Sequence, residues 1–198
     1  LLLMLDITHD RFSLENTSVM TSICGVNVHS SVEICTGAGG QALGLEQAGF
    51  EHLVLVDNDE CCCETIRLNR PSWKVELADL RSWNPKPYRK DNVDLLAAGL
   101  PCPPFSAAGE QLGAGDERNL FPQAIEIASA ISPKAIMIEN VRGILDRKFV
   151  EFRNEFSKMV EELGFLGQWQ LINSSDFGVP QLRPRAIYVA LKPAYATF

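Results

Sequence analysis

One cysteine lies among prolines in the segment Gly99-Leu100-Pro101-Cys102-Pro103-Pro104-Phe105-Ser106. Proline fixes φ and lacks a backbone N–H, so three prolines hold the thiol in a rigid loop. Such a thiol can act as a nucleophile once its surroundings or a base generate the thiolate. An ordinary core cysteine is the alternative, and two prolines directly after it disfavour that reading. The segment predicts nucleophilic chemistry at Cys102.

A glycine-rich stretch, Thr36-Gly37-Ala38-Gly39-Gly40, follows an apolar run, and Asp57 comes 17 residues after Gly40. Glycines let the backbone approach a ligand and aim its N–H groups at it, and an acid that ends the next strand can accept hydrogen bonds from ribose hydroxyls. The stretch therefore indicates a nucleotide-like ligand. Because Gly37 to Ala42 also fits a loose G-x-G-x-x-A, a nicotinamide-dependent dehydrogenase and a simple tight turn both remain alternatives.

A carboxylate ends another apolar run, where Glu139-Asn140-Val141 follows Ala135-Ile136-Met137-Ile138. A glutamate at the end of a buried strand can hold or deliver a proton to a bound ring, which is the role of a general acid. A salt-bridged acid of purely structural importance is the alternative.

The elements that must position these residues alternate from Val32 onwards, with short apolar runs, turns and longer amphipathic segments. This alternation is typical of an α/β domain with a mainly parallel sheet. The predicted strands are Val32–Thr36, Leu53–Asp57, Val75–Asp79, Val93–Ala98, Ala135–Glu139, Gln168–Asn173 and Ala186–Leu191. The predicted helices are Gln41–Ala48, Glu60–Asn69, Phe121–Ile131 and Phe149–Leu163, the last ended by Gly164. No helix separates the last two strands, which predicts an antiparallel hairpin at one edge of the sheet.

The residues singled out so far all fall where a predicted strand ends. They are the glycine stretch, Asp57, Asp79, the Cys102 loop and Glu139. In an open parallel sheet the ligand crevice forms at the carboxyl ends of the strands. We therefore expect these five features to meet at one site.

Length and composition limit the class of protein. The 198 residues are 46% hydrophobic and 22% charged, which suits one globular domain. The net charge of −7 argues against a surface that is basic throughout. No C-x-x-C spacing is present, so no metal site is expected, and adjacent cysteines without a disulfide framework suit a reducing cytoplasm. We interpret residues 1–31 as a leader without a membrane span and 32–198 as the domain.

Taken in order along the chain, these motifs resemble those of the cytosine-5 DNA methyltransferases, which use S-adenosylmethionine. The resemblance spans about residues 33–191 and disfavours a dehydrogenase. Its main elements are Glu33-Ile34-Cys35-Thr36-Gly37-Ala38-Gly39-Gly40, Asp57, Asp79, Pro101-Cys102, Glu139-Asn140-Val141 and Val179-Pro180-Gln181-Leu182-Arg183-Pro184-Arg185.

The resemblance implies a Rossmann-like methyltransferase fold with a mostly parallel seven-stranded sheet, an antiparallel edge strand and helices on both faces. It also implies a mechanism in which a cytosine is flipped out of double-stranded DNA, Cys102 adds to carbon 6, and Glu139 binds ring nitrogen 3. Arg183 and Arg185 would support this site, with Arg185 contacting the cytosine carbonyl. Carbon 5 would then take the methyl group, with S-adenosylhomocysteine as product.

The same resemblance assigns a cofactor site. Asp57 would bind the ribose, Asp79 the adenine amino group, and Gly37 and Gly39 the methionine portion. The full set implied is Cys35, Thr36, Gly37, Gly39, Gly40, Asp57, Asn58, Asp79, Leu80 and Pro101.

The chain also departs from the family pattern. Cys35 stands where a phenylalanine is usual, and Pro103 stands where a glutamine is commoner. The family continues past the seventh strand into a target-recognition domain, so we expect that domain to follow in the natural protein or to come from a separate subunit. The catalytic domain of a cytosine-5 DNA methyltransferase, of the kind found in restriction–modification systems, is the leading interpretation. An RNA cytosine-5 methyltransferase and a non-catalytic regulatory subunit with the same fold remain alternatives.

Overall fold

Residues 28–101 and 119–195 are described by a computed structural model, and they contain seven strands and four α-helices. The strands are β1 (His29–Ile34), β2 (Phe50–Asp57), β3 (Val75–Leu77), β4 (Leu95–Gly99), β5 (Ala135–Val141), β6 (Leu166–Asn173) and β7 (Pro184–Leu191). The helices are α1 (Gly40–Gln47), α2 (Glu60–Asn69), α3 (Phe121–Ile131) and α4 (Val150–Glu162). Cys102 and its loop lie outside the described residues.

All seven strands form one sheet in the order β3-β2-β1-β4-β5-β7-β6. The first five strands of that order are parallel to one another, whereas β7 pairs antiparallel with both β5 and β6. The predicted hairpin is therefore confirmed, with β6 at the edge of the sheet. After β1 the chain moves outward to β2 and β3, and it then returns to the other side of β1 as β4. This reversal places the topological switch point between β1 and β4.

Helices cover both faces of the sheet, and the alternation of side chains along the strands explains why. Val54, Val56 and Leu96 belong to the large core that α3 and α4 cover, whereas Leu55 and Leu95 face α1 and α2. Because both faces are buried, the central strand β4 carries no polar side chain (Leu95 to Gly99 read Leu-Leu-Ala-Ala-Gly), as is usual for parallel sheets. The fold class predicted from the sequence is confirmed.

The strands differ from the predicted bounds by one to three residues at one or both ends, and two of these differences have identifiable reasons. β1 begins at His29 rather than Val32, because the Ser30 N–H and hydroxyl both bind the Asp94 carboxylate at the start of β4 (2.7 and 3.3 Å). Residues 29–31 therefore belong to the sheet and not to a leader. β3 ends at Leu77 rather than Asp79, because the Asp79 side chain turns the backbone by accepting a hydrogen bond from the Arg81 N–H (2.9 Å).

Helix ends follow the expected capping chemistry. Asp59 caps α2 by accepting a hydrogen bond from the Cys62 N–H at 3.2 Å. Gly164 follows α4 in the left-handed region (φ 85°), as predicted for a glycine at that position. In residues 28–101 and 119–195 no helix is long and apolar enough to cross a bilayer.

Candidate active site

The glycine turn (Thr36–Gly40) leaves β1, and Leu100–Pro101 leaves β4, so the two segments flank the switch point of the sheet. Glu139 lies near the end of β5, the next strand, where it pairs in register with Gly99. The strand ends that the sequence indicated are thus neighbours in the sheet. We call the side of the sheet formed by these carboxyl strand ends the carboxyl edge. It is where an open parallel sheet binds ligands.

Asp57, the last residue of β2, fastens the glycine turn to the neighbouring strand. Its Oδ2 accepts a hydrogen bond from the Gly37 N–H at 2.7 Å, and its Oδ1 accepts one from the Asp59 N–H at 2.9 Å. The carboxylate therefore fixes the relative positions of the turn and the segment that leads into α2. Asn58, between these two contacts, is exposed at the same edge.

The glycines of the turn play different structural parts. Gly37 has φ 54°, and a methyl group added to it would meet no described atom within 4 Å, so its backbone faces open space. Gly39 has φ 86°, and a methyl group there would lie 3.1 Å from Ile66 of α2. Gly37 thus leaves open space beside the turn, whereas Gly39 lets the turn pack against α2. Gly40 is exposed and begins α1.

Glu33 lies beneath the turn and braces it. The residue is 1% exposed, and its Oε1 accepts a hydrogen bond from the buried Thr36 hydroxyl at 2.9 Å. Burial raises the pKa of Glu33 to about 7, an effect that the hydrogen bonds from Thr36 and the Ala42 backbone only partly oppose. The Thr36 side chain therefore supports the turn from inside, and its backbone N–H binds the Val56 carbonyl at 3.3 Å.

Cys35 lies near the two acids assigned to the cofactor, Asp57 and Asp79. It has φ 51°, an uncommon value for a residue with a side chain, and it packs against the main core. Burial, with the charges of Asp57 and Asp79 nearby, raises the pKa of Cys35 to about 12. Its thiol therefore stays protonated at neutral pH and offers an apolar surface rather than a nucleophile.

Asp79 is exposed and is held by its own turn. Besides capping the Arg81 N–H, its Oδ2 lies 3.2 Å from a guanidinium nitrogen of Arg81, with both side chains 47% exposed. These contacts with Arg81 hold the pKa of Asp79 below its ordinary value. Leu80, in contrast, is buried in the main core and anchors the segment.

Two contacts position the chain where it leaves β4 towards the Cys102 loop. A methyl group at Gly99 would lie 2.9 Å from the Cys35 carbonyl oxygen, so glycine permits the close approach of β4 to β1. The fully buried Asn140 donates a hydrogen bond from Nδ2 to the Leu100 carbonyl at 3.2 Å. Pro101, half-buried, is the last described residue before the loop. Asn140 thus ties the end of β5 to the start of that loop.

Glu139 and Arg185 form an ion pair across neighbouring strands. Arg185 Nε lies 2.6 Å from Glu139 Oε1, and the side chains are 22% and 27% exposed. Arg185 stands opposite Val141 in the antiparallel register of β5 and β7, which explains why residues 46 positions apart in sequence meet. Arg183 is exposed on the segment before β7, where its N–H binds the Asn173 side chain at 2.9 Å.

The structure thus brings the Glu139–Arg185 pair, the glycine turn and Asp57 to one edge, with Asp79 beside Cys35. Sequence reasoning missed the parts played by Asn140, Arg81 and Gly99. Asn140 was visible as the polar residue after Glu139 in a buried strand, whereas nothing local marked Arg81 as the partner of Asp79. No cluster of three or more potential metal ligands occurs among the residues whose structure is described.

The residues present fit S-adenosylmethionine, a cationic nucleoside derivative. Open space adjoins Gly37, as a ligand that packs on the turn requires. Three acids, Asp57, Asp59 and Asp79, lie on the same side of the switch point and suit its positive charge and hydroxyls.

Comparison with known proteins agrees with this geometry. Residues 29–197 match the family described as C-5 cytosine-specific DNA methylase. The Type II methyltransferase M.NgoMIV of Neisseria gonorrhoeae is 56% identical over 169 residues, which are 85% of this chain and 54% of that protein. The Type II methyltransferase M.NaeI of Lentzea aerocolonigenes is 47% identical over 84% of this chain and 41% of its own length.

A solved structure has a similar fold. A crystal structure of a DNMT2 mutant from Spodoptera frugiperda superposes with a TM-score of 0.69 at 27% identity, covering 85% of this chain and 51% of that one. The chain spans about half the length of the proteins it matches. From the residues of the site and from these matches together, the chain belongs to the C-5 cytosine-specific DNA methylase family.

Proposed function

We propose that this chain carries the catalytic machinery of an S-adenosylmethionine-dependent DNA (cytosine-5)-methyltransferase, of the Type II kind found in restriction–modification systems. The observation that supports it most is that the residues assigned to the cofactor and those assigned to the cytosine lie at the carboxyl ends of neighbouring strands. The glycine turn tethered by Asp57 stands on one side of the β4 end, and the Glu139–Arg185 pair stands on the other. In the sequence, Pro101-Cys102 comes two residues after the end of β4.

In the proposed reaction Cys102 supplies the nucleophile. Its thiolate forms a bond to carbon 6 of a flipped cytosine, while Glu139 hydrogen-bonds or protonates ring nitrogen 3 and so stabilises the negative charge that develops in the ring. Arg185 holds the Glu139 carboxylate in place and contacts the cytosine carbonyl, and Arg183 supports the same side of the site. Once carbon 5 carries the methyl group, its proton is lost to solvent, and the electron pair of that bond re-forms the ring double bond and expels Cys102 as the thiolate.

The cofactor supplies a methyl group on a sulfonium, which the nucleophilic carbon 5 accepts. Asp57 and Asp79 bind the ribose and the adenine amino group, and the glycine turn receives the methionine portion. The adenosyl moiety is also lined by Cys35, Asn58 and Leu80, while Thr36 and Gly40 shape the turn and Pro101 borders the reacting atoms. Cys35 provides less contact area than the phenylalanine usual in the family.

The decisive test is covalent trapping of the natural full-length protein on DNA that contains 5-fluorocytosine, since fluorine blocks the proton loss that releases Cys102. We expect a stable adduct with the wild-type protein and none with Cys102→Ser, because a serine hydroxyl is far less acidic than a thiol. Binding of S-adenosylmethionine should be nearly unchanged in the variant.

Cys61→Ser is the matched control, since Cys61 is exposed on α2 and lies outside the site. It should trap DNA like the wild type. An adduct that persists in Cys102→Ser would show that another group attacks the ring. A wild-type protein that binds the cofactor yet never forms an adduct would favour the non-catalytic alternative, and trapping on RNA alone would favour an RNA substrate.

A further inference from the structure

The carboxyl edge of the sheet is divided by charge at the switch point. On the cofactor side, the segments 57–64 and 79–81 carry five acidic residues and one basic residue, Arg81, which pairs with Asp79. The acids are Asp57, Asp59, Glu60, Glu64 and Asp79. On the other side, the segments 139–149 and 174–185 carry five basic and three acidic residues. The chain as a whole has a net charge of −7, so this second half is a local exception.

The basic residues next to Glu139 come from a compact double turn between β5 and α4. Its two 3₁₀ turns, Arg142–Leu145 and Arg147–Phe149, follow β5 directly, and the first packs against β7. Ile144, within the first turn, is fully buried. The Arg153 guanidinium donates hydrogen bonds to the Ile144 and Asp146 carbonyls (2.5 and 3.0 Å), so the backbone of this double turn is held in place.

Arg142 and Arg147 are exposed on this double turn. Neither guanidinium forms a hydrogen bond or an ion pair with any residue in the described part of the chain. Their place is fixed relative to the active site, because Arg142 directly follows Val141, which pairs with Arg185 in the register of β5 and β7. Two unpaired cations therefore stand on a rigid support beside the Glu139–Arg185 pair.

We infer that Arg142 and Arg147 bind backbone phosphates of duplex DNA next to the flipped nucleotide. We call these two residues the phosphate-binding rim. The inference rests on the proposed function, which puts a polyanion at this edge. Exposed guanidinium groups bind phosphate oxygens in a bidentate manner and release condensed counterions from the duplex. The acidic half of the edge repels the duplex, so the charge division also orients the DNA towards Glu139 and away from the cofactor acids.

The test is the salt dependence of binding to a short duplex of arbitrary sequence, measured by fluorescence anisotropy with the chain itself. Each phosphate contact contributes about 0.9 to the slope of log K against log salt. The double variant Arg142→Gln with Arg147→Gln should therefore lower the slope by about 1.8 and weaken binding about tenfold or more at low salt. Its affinity for S-adenosylmethionine should not change.

Arg89→Gln with Lys90→Gln is the matched control. These two residues are exposed just before β4, on the side of the sheet formed by the amino ends of the parallel strands. The substitution removes two positive charges, as the Arg142/Arg147 variant does. The proposal is contradicted if the slope is unchanged in the Arg142/Arg147 variant or falls equally in both variants. It is also contradicted if the wild-type chain binds no duplex at low salt. If the Arg142/Arg147 variant lowers the slope but the chain does not bind S-adenosylmethionine, phosphate binding by these arginines is supported and the proposed function is contradicted. Failure of the phosphate-binding proposal and failure of the proposed function are therefore distinguishable.

Discussion

At the scale of single residues, Glu139 forms an ion pair with Arg185, and the proposed function makes the Glu139 carboxyl group the one that binds or protonates the cytosine ring. Replacing Glu139 by glutamine keeps the size of the side chain but removes its negative charge and its ability to take up and deliver a proton. We predict that Glu139→Gln slows methyl transfer about 10² to 10⁴-fold, the range for loss of a general acid, which is roughly 3–5 kcal/mol of transition-state stabilisation. Single-turnover methylation by the full-length protein measures this rate.

Glu126→Gln is the control for that experiment, since Glu126 is exposed on α3 and takes no part in the site. Cofactor affinity should be close to that of the wild type in both variants. Wild-type turnover in Glu139→Gln would identify Glu139 as a structural acid, held by Arg185 only to complete an ion pair.

The residues of the site were predictable to unequal degrees. Asp57 and Glu139 could be predicted from the sequence because Asp57 ends a buried strand and Glu139 lies near the end of one, and a carboxylate has few structural reasons to be there. Arg81 and Asn140 act through partners that local patterns do not reveal. Arg81 pairs with Asp79 across a turn, and Asn140 reaches the Leu100 carbonyl 40 positions away.

At the scale of elements, the junction of β1, the glycine turn and α1 is built over a buried carboxyl group. The pKa of Glu33 is about 7 in the folded chain against an ordinary value of 4.5. The folded state therefore holds the proton more tightly than the unfolded state. Stability from this group is fully present below about pH 4.5, falls as the pH rises towards 7, and is constant above that.

We predict that the free energy of unfolding falls by roughly 3 kcal/mol between about pH 4.5 and pH 7 through Glu33 alone. Glu33→Gln cannot ionise, so its stability should depend less on pH by that order of magnitude. Urea denaturation of both proteins at about pH 5 and about pH 8 measures the difference, with the exposed Glu64→Gln as control. Equal pH dependence in Glu33→Gln and the wild type would contradict a proton held at this junction.

Element type was more predictable than element order. All seven strands and four helices were located from the sequence, because buried parallel strands are apolar runs and the helices carry clear end signals. The insertion of β7 between β5 and β6 has no local signal. It depends on packing, as at Gly167, where a methyl group would lie 2.5 Å from the Tyr188 hydroxyl of β7.

At the scale of the whole molecule, charge and size limit what this chain can recognise. Specific protein–DNA interfaces commonly bury about 1,000–2,500 Å² of protein surface, and they combine phosphate contacts with side chains that reach base edges. The proposed rim would supply phosphate contacts in a chain whose net charge is −7. This chain covers 54% of M.NgoMIV and 41% of M.NaeI. Each of those relatives therefore has roughly as many residues outside the matched region as within it.

We therefore predict that this chain binds S-adenosylmethionine but selects no DNA sequence at physiological salt. Phosphate contacts position a protein on the duplex without reading its bases, and at about 150 mM salt they are strongly weakened. The measurement is selection from a pool of random duplexes at that salt concentration, with the natural full-length protein as the positive control. Enrichment of one sequence by the chain alone, with nanomolar affinity, would place base recognition within these 198 residues and contradict a separate recognition domain or subunit.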